Sequence, residues 1–348
     1  MSRDGTVGGR SDPGNGPPVV ALVGPTASGK SALALDVALA SAAGAVAGRA
    51  GGPPPVELVS VDSMAVYRGM NIGTAKPAPE VQARVPYHLV DLVDPADQFT
   101  VQQFQRAARD VLAAIAGRGN GALLVGGTGL YLRSVTDDLV FPGRYPETAA
   151  QLAGTLDGAG PPHTEEYRAA LAGLHRRLTE LDPVAAGRIE PSNRRRLLRA
   201  LEVTLGSGRP FSSFGPGLER YPRTRVSLVG IVHDPATADR RIAERFDGLM
   251  EAGFLDEVRS LASRPGGLSR TARQALGYRE LLSHLEDGVP LAEAVAEAVQ
   301  RTRAFSRRQR AWFRRDPRIV WLDPDDDPVG SIVARFGGVP LPVAKVGE

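Results

Sequence analysis

The chain has 348 residues, 42% hydrophobic and 23% charged, a composition that buries a core and excludes a disordered or fibrous protein. It contains no cysteine, which excludes disulfides, thiolate nucleophiles and cysteine-ligated zinc and fits a reducing cytoplasmic location. The formal net charge is only +3, yet arginines gather at Arg194, Arg195, Arg196 and Arg199 and again at Arg301, Arg303, Arg307, Arg308, Arg310, Arg314 and Arg315. That local basic density points to an anionic polymer as partner, with solvated helix faces as the alternative.

Residues 1–17 lack the apolar core and cleavage site of a signal peptide and read as a disordered leader. No stretch is long enough and free enough of charge to cross a bilayer, so no membrane partner is expected. Val19 to Val23 is a buried strand that runs into Gly24, Pro25, Thr26, Ala27, Ser28, Gly29, Lys30 and Ser31. Helical spacing of Leu33, Val37 and Ala40 follows, over Ser31 to Ala42. A glycine, four residues and Gly-Lys-Ser between a strand and a helix is the P-loop pattern. Backbone amides and the helix start face phosphate oxygens, Lys30 neutralises charge, and the Ser31 hydroxyl can ligate Mg2+. Kinases, motors and switches share this loop, so it does not choose a reaction.

Gly44 to Pro55 reads as a flexible connection. The strand Val56 to Val61 then places Asp62 at the carboxyl edge of a parallel sheet, facing the same crevice as the loop. A helix cap or an outer magnesium ligand is the alternative for Asp62. A third strand, Ala122 to Val125, leads into Gly126 to Tyr131 and puts Thr128 on a tight turn at the same edge, with a plain strand-to-helix turn as the alternative. From Pro142 to about Pro222 strand signals vanish, and Leu174, Leu178, Leu181, Leu197, Leu198 and Leu201 mark helices. Arg225 to Val232 restores the sheet, Ala238 onward is helical, and Arg318 to Leu322 is a last strand. The acidic run Asp323 to Asp327 is expected to end the ordered core. On the helix after Ala238, Arg303, Arg307, Arg310 and Arg314 share one face, expected to meet phosphate, while Phe305 and Trp312 lie on another, expected to meet the core.

Seven segments carry a resemblance over nearly the whole chain. They are GPTASGKS, SVDSMAVYRGMNIGTAKP from Ser60 to Pro77, VGGTGLYLRS from Val125 to Ser134, and RRRLLRALE from Arg194 to Glu202. RIAERFDGLMEAGF from Arg241 to Phe254, QALGYRE from Gln274 to Glu280 and RTRAFSRRQRAWFRRD from Arg301 to Asp316 complete the set. Together they resemble the tRNA dimethylallyltransferases. The resemblance implies an α/β fold, a P-loop nucleoside-triphosphate-hydrolase-like parallel sheet core with an inserted all-helical domain. The core would span 18–141 and 223–325, the insertion 142–222 and a tail 326–348.

It further implies that the loop holds dimethylallyl diphosphate and that the prenyl group passes to the N6 amine of adenosine 37, next to the anticodon, in tRNAs reading codons that start with U. Asp62 matches the family's general base, Thr128 positions the amine or the diphosphate, and Arg241 joins Lys30 and magnesium on the leaving group. Thr26, Ala27 and Ser28 would line the diphosphate site. Contacts to tRNA fall on Asp62, Ser63, Met64, Ala65, Asn193, Arg194, Arg195, Arg196, Leu197, Arg303, Arg307, Arg308, Gln309 and Arg310. A monomer is expected. Arg195 stands where some relatives carry Gln, and His88 stands alone where many have paired histidines, so His88 receives no role. The rival readings are a nucleotide kinase, a prenyltransferase for free AMP or ADP, and an RNA-binding ATPase switch.

Overall fold

VVALV, VELVS, GALLVG and SLVGI are near-continuous apolar runs because both faces of the sheet they build are covered by helices. A computed structural model describes residues 18–46, 52–215 and 217–337. The expected leader, 1–17, lies outside the described residues, as do most of the connection before Gly52 and the last eleven positions of the expected tail. Two compact units are present, one made of Met1–Asp137 with Arg223–Glu348, the other of Asp138–Pro222.

In chain order the first unit begins with β1 (Val19–Val23), α1 (Lys30–Val46), β2 (Val56–Ser60), α2 (Pro79–Gln82), β3 (Tyr87–His88), α3 (Val101–Gly117), β4 (Gly121–Gly126) and α4 (Gly129–Thr136). The second unit carries α5 (Pro146–Asp157), α6 (Glu165–Leu181), α7 (Pro183–Ala186) and α8 (Arg194–Ser207). The first resumes with β5 (Ser227–Ile231), α9 (Pro235–Glu251), α10 (Phe254–Ala262), α11 (Tyr278–Asp287), α12 (Leu291–Arg314), β6 (Val320–Leu322) and α13 (Pro328–Phe336). Among the described residues the six strands form one parallel sheet in the order β3-β2-β4-β1-β5-β6.

One face of this sheet packs on α1 and α13, through Leu33, Val37, Ile332 and Phe336. The other packs on α3, α4 and α12, through Phe104, Tyr131 and Phe313. Because the chain leaves β1 toward one face and β4 toward the other, the carboxyl ends of these neighbouring strands open a crevice at the point where such sheets bind ligands. A third cluster holds Val66, Tyr67 and Met70, from the segment after β2, against Phe254, Val258 and Tyr278. Among the described residues the second unit is all helical, with Leu156, Leu178, Leu197 and Leu201 in its own core.

Three expectations need correction. β3 has two residues, too short to leave an apolar run, and no strand was expected there. α1 continues through Gly44 to Val46, so the helix persists past the point where the flexible connection was expected to begin. Nor does Asp323 to Asp327 end the ordered core. Asp327 caps α13 by accepting from the Gly330 amide, Pro328 fills the first turn, and Ile332 and Phe336 are buried on the sheet.

Candidate active site

Between β1 and α1 the chain makes its turn with two residues in the left-handed region, Ala27 at φ 65° and Gly29 at φ 84°. Glycine adopts that region freely, whereas Ala27 holds it at a cost of about 1 kcal/mol. The first turn of α1 carries no acidic residue, so its unpaired amides keep their positive end for an anion. Lys30 folds back over the loop and donates to the Pro25 carbonyl at 3.2 Å. Burial pushes its ammonium down to about 8, Arg245 pushes in the same direction, and Asp62 partly restores it. The Ser28 hydroxyl is buried without a hydrogen-bond partner and abuts Gly24, where a Cβ would lie 2.6 Å from it. Ser31 stands exposed on the first turn of α1.

Asp62 follows the buried end of β2, where the Val61 amide still donates to Val125 of β4 at 2.8 Å. One carboxylate oxygen accepts from the amides of Met64 at 2.7 Å and Ala65 at 3.3 Å, which fixes the side chain in a tight turn. Thr128 occupies the start of α4, but its hydroxyl makes no cap bond and instead accepts from the Ser63 amide at 3.4 Å. Asp62 and Thr128 are thereby tied to one backbone bridge. The Asp62 charge reaches Lys30 and Arg245, and after burial it is the second influence holding Tyr87 up at about 12. A carboxylate, a hydroxyl and an ammonium thus share the ends of β2, β4 and β1. This set can accept a proton, orient a substrate and balance developing negative charge.

Arg241 is exposed on α9, and its guanidinium touches His233 Nε2, while Nη1 lies 3.7 Å from where a Cβ on Gly29 would stand. His233 is held below its ordinary value by burial and then by Arg241. Arg245 lies one helical turn after Arg241 on α9, and its charge acts on Lys30. Gln309, among the positions expected to contact tRNA, has its side chain buried at 7% exposure, accepts from the amide and hydroxyl of Thr26 and donates to the Gly127 carbonyl.

The remaining expected tRNA positions divide by exposure. Ser63 and Met64 are half-buried and Ala65 is buried beside Asp62. On α12, Arg307 and Arg308 are exposed, Arg310 is half-buried, and Arg303 is turned toward α9, where it donates to the Asp239 carbonyl at 3.2 Å. The inward face of α12 is Ala298, Ser306, Gln309 and Phe313, which corrects the expected core face: Trp312 packs there partly, but Phe305 carries the Arg308 guanidinium 5.7 Å from its ring centre. Within the second unit, Asn193 caps α8 by accepting from the Arg196 amide, Arg194, Arg195 and Arg196 are exposed, and Leu197 is fully buried, so its side chain serves the core. Arg199 is engaged by Glu202 and the carbonyls of Pro142 and Gly143. His88 pairs with Glu57 at 2.6 Å.

Comparison with known proteins gives the same family along independent routes. The family model described as IPP transferase matches residues 65–316. The tRNA dimethylallyltransferase of Desulforudis audaxviator is 42% identical over 93% of this chain and 98% of its own length. That of a Nocardioides species is 43% identical over 92% of this chain and 97% of its own length. Among solved structures, the tRNA isopentenylpyrophosphate transferase of Bacillus halodurans is similar at a TM-score of 0.62 and 31% identity, over 92% of this chain and 96% of that one.

Proposed function

The chain belongs to the IPP transferase family, and we propose that it transfers the dimethylallyl group of dimethylallyl diphosphate to the N6 amine of adenosine 37, beside the anticodon, in tRNAs reading codons that begin with U. The observation that carries this reading is the convergence of Asp62 and Thr128 on the mouth of the Gly24 to Ser31 loop, with Lys30 in electrostatic reach of Asp62.

The reaction forms a bond from N6 to the allylic carbon and breaks the bond from that carbon to diphosphate oxygen. Negative charge grows on the leaving diphosphate. Lys30, the amides at the start of α1 and the Arg241 guanidinium are the groups that balance it. Exocyclic N6 is a weak nucleophile whose proton must leave as the bond forms. Asp62 accepts that proton, since its turn engages one oxygen, and Thr128 orients the amine from the adjacent turn.

Magnesium belongs to this proposal as a companion of the diphosphate. The protein donor is the Ser31 hydroxyl, exposed on the first turn of α1, and the remaining oxygens are the ligand's own. Such an oxygen set fits magnesium, which when bound would offset charge on the diphosphate.

The acceptor adenine must leave its stack to reach the crevice, and exposed arginines, Arg307 and Arg308 of α12 and Arg194, Arg195 and Arg196 of α8, are the candidates for phosphate contacts. The reaction is placed in the cytoplasm, where tRNA resides, with the protein acting as a monomer. Incubation with unmodified tRNA is expected to release diphosphate from dimethylallyl diphosphate and no phosphate from ATP. Transfer of the γ-phosphoryl group of ATP with dimethylallyl diphosphate left intact would overturn the reading.

A further inference from the structure

Thr26 and Gln309 stand 283 residues apart in sequence, yet Gln309 Oε1 accepts from the Thr26 amide at 2.8 Å and from its hydroxyl at 3.1 Å. On the other side, Gln309 Nε2 donates to the Gly127 carbonyl at 2.9 Å. The amide can sit in only one orientation. Turned over, its NH2 would face the Thr26 amide N–H and its oxygen the Gly127 carbonyl, leaving buried polar groups unpaired. Ser306, one turn earlier on the same helix face, adds a bond from its hydroxyl to the Thr26 carbonyl at 3.3 Å. Gly127 admits this approach because it has no side chain: a Cβ there would collide with Gln309 Nε2 and lie 3.2 Å from the Gly24 carbonyl. α12 therefore wedges one buried amide between the phosphate loop and the residue before Thr128.

We propose that Gln309 is a positioning residue that sets the spacing between the diphosphate loop and the Thr128 turn, and that it makes no contact with RNA. The inference rests on the transfer reading, and it has two consequences. First, the Thr26 amide and hydroxyl are occupied by Gln309, so diphosphate contact falls on the loop from Ala27 onward. Second, donor and acceptor substrates are registered through one side chain: Thr26 lies in the loop that grips the leaving group, and Gly127 precedes the hydroxyl that orients the amine. Small errors in such spacing are expensive, because transfer needs the reacting atoms within van der Waals contact and in line.

The full-length chain tests this with Gln309→Met, which keeps length and apolar bulk but removes the amide. Steady-state kinetics with unmodified tRNA are expected to show KM for dimethylallyl diphosphate raised and kcat lowered, each on the order of tenfold, with the dissociation constant for tRNA within about twofold of wild type. Gln309→Asn, which retains the chemistry but withdraws it by one methylene, is expected to show the same defect and covers the case in which the Met variant does not fold. In the cycle with Thr26→Ala, the double variant is expected to lose no more kcat/KM than Gln309→Met alone, since the Thr26 hydroxyl bond to Gln309 is already absent in the Met variant. A tRNA dissociation constant raised tenfold with KM and kcat for the prenyl donor unchanged would overturn the proposal and return Gln309 to RNA. A lowered melting temperature with unchanged kinetics would also overturn it, leaving a structural role alone. Wild-type protein that transfers no dimethylallyl group would fail the underlying reading, a result the variants do not produce.

Discussion

The two ends of the parallel sheet treat charge in opposite ways. Where the strands begin, Glu57 of β2 is buried and fully engaged, with bonds from Arg118 at 2.8 Å to each oxygen, from Asn120 at 2.8 Å and from His88 at 2.6 Å. Burial alone would raise its carboxyl, but the donors from Arg118, Asn120 and His88 overcome this and hold it at about 2. Phe336 seals the same end, its ring lying 2.6 Å from where a Cβ on Gly121 would stand. Where the strands finish, Lys30 is held down at about 8 by burial and by Arg245, Asp62 engages one oxygen in a turn, and Ser28 Oγ has no partner. Satisfied charge at one end stabilises the fold. Charge at the other end is held short of a partner, which an anionic substrate can supply.

Four changes test that division, in descending order of expected effect. Asp62→Ala removes the proton acceptor and is expected to lower kcat by about a thousandfold or more with a modest change in tRNA affinity. Lost tRNA binding with intact turnover at saturating tRNA would move Asp62 to recognition. At the opposite end, Phe336→Ala is expected to cost roughly 3–5 kcal/mol in denaturant unfolding and to leave kcat of the folded fraction unchanged. An unchanged unfolding midpoint would mean that α13 contributes nothing to the core.

Glu57→Gln follows, with a loss of roughly 1–3 kcal/mol for the buried ionic bonds and no change in KM. The wild-type pH dependence carries the sign: a carboxyl depressed from 4.5 to about 2 on folding contributes stability above 4.5 that is lost as pH falls toward 2. Acid unfolding of Glu57→Gln should lack this component. The smallest effect belongs to Lys30. Its ammonium is depressed from 10.5 to about 8, so the free enzyme loses this charge as pH rises through 8, and KM for dimethylallyl diphosphate should climb by up to about tenfold per pH unit above it. A flat KM from pH 7 to 10 would show that Lys30 does not face the diphosphate.

Much of this division was legible in the residues themselves. β1, β2, β4 and β5 announced themselves as apolar runs, and the loop, Asp62 and Thr128 follow because the carboxyl ends of adjacent parallel strands share one edge. Where local signal was absent, the reading failed. β3 is too short for periodicity, and the cap made by Asp327 with Pro328 was hidden in an acidic run that looked like the end of order. Gln309 sat among arginines in a basic segment, and only the packing of α12 on the loop shows that its amide points inward. Arg245 needed the geometry of α9 beside Lys30 to stand out from neighbouring charges.

The central claim is that the Gly24 to Ser31 loop grips a leaving diphosphate while Asp62 takes the proton of an adenine amine. Its most direct test mixes the protein with magnesium, unmodified tRNA and dimethylallyl diphosphate labelled in the prenyl group, then digests the tRNA to nucleosides. Label on N6 of the adenosine next to the anticodon is the result the account predicts. Label remaining on the diphosphate ester, or recovered on any other nucleoside, would contradict it.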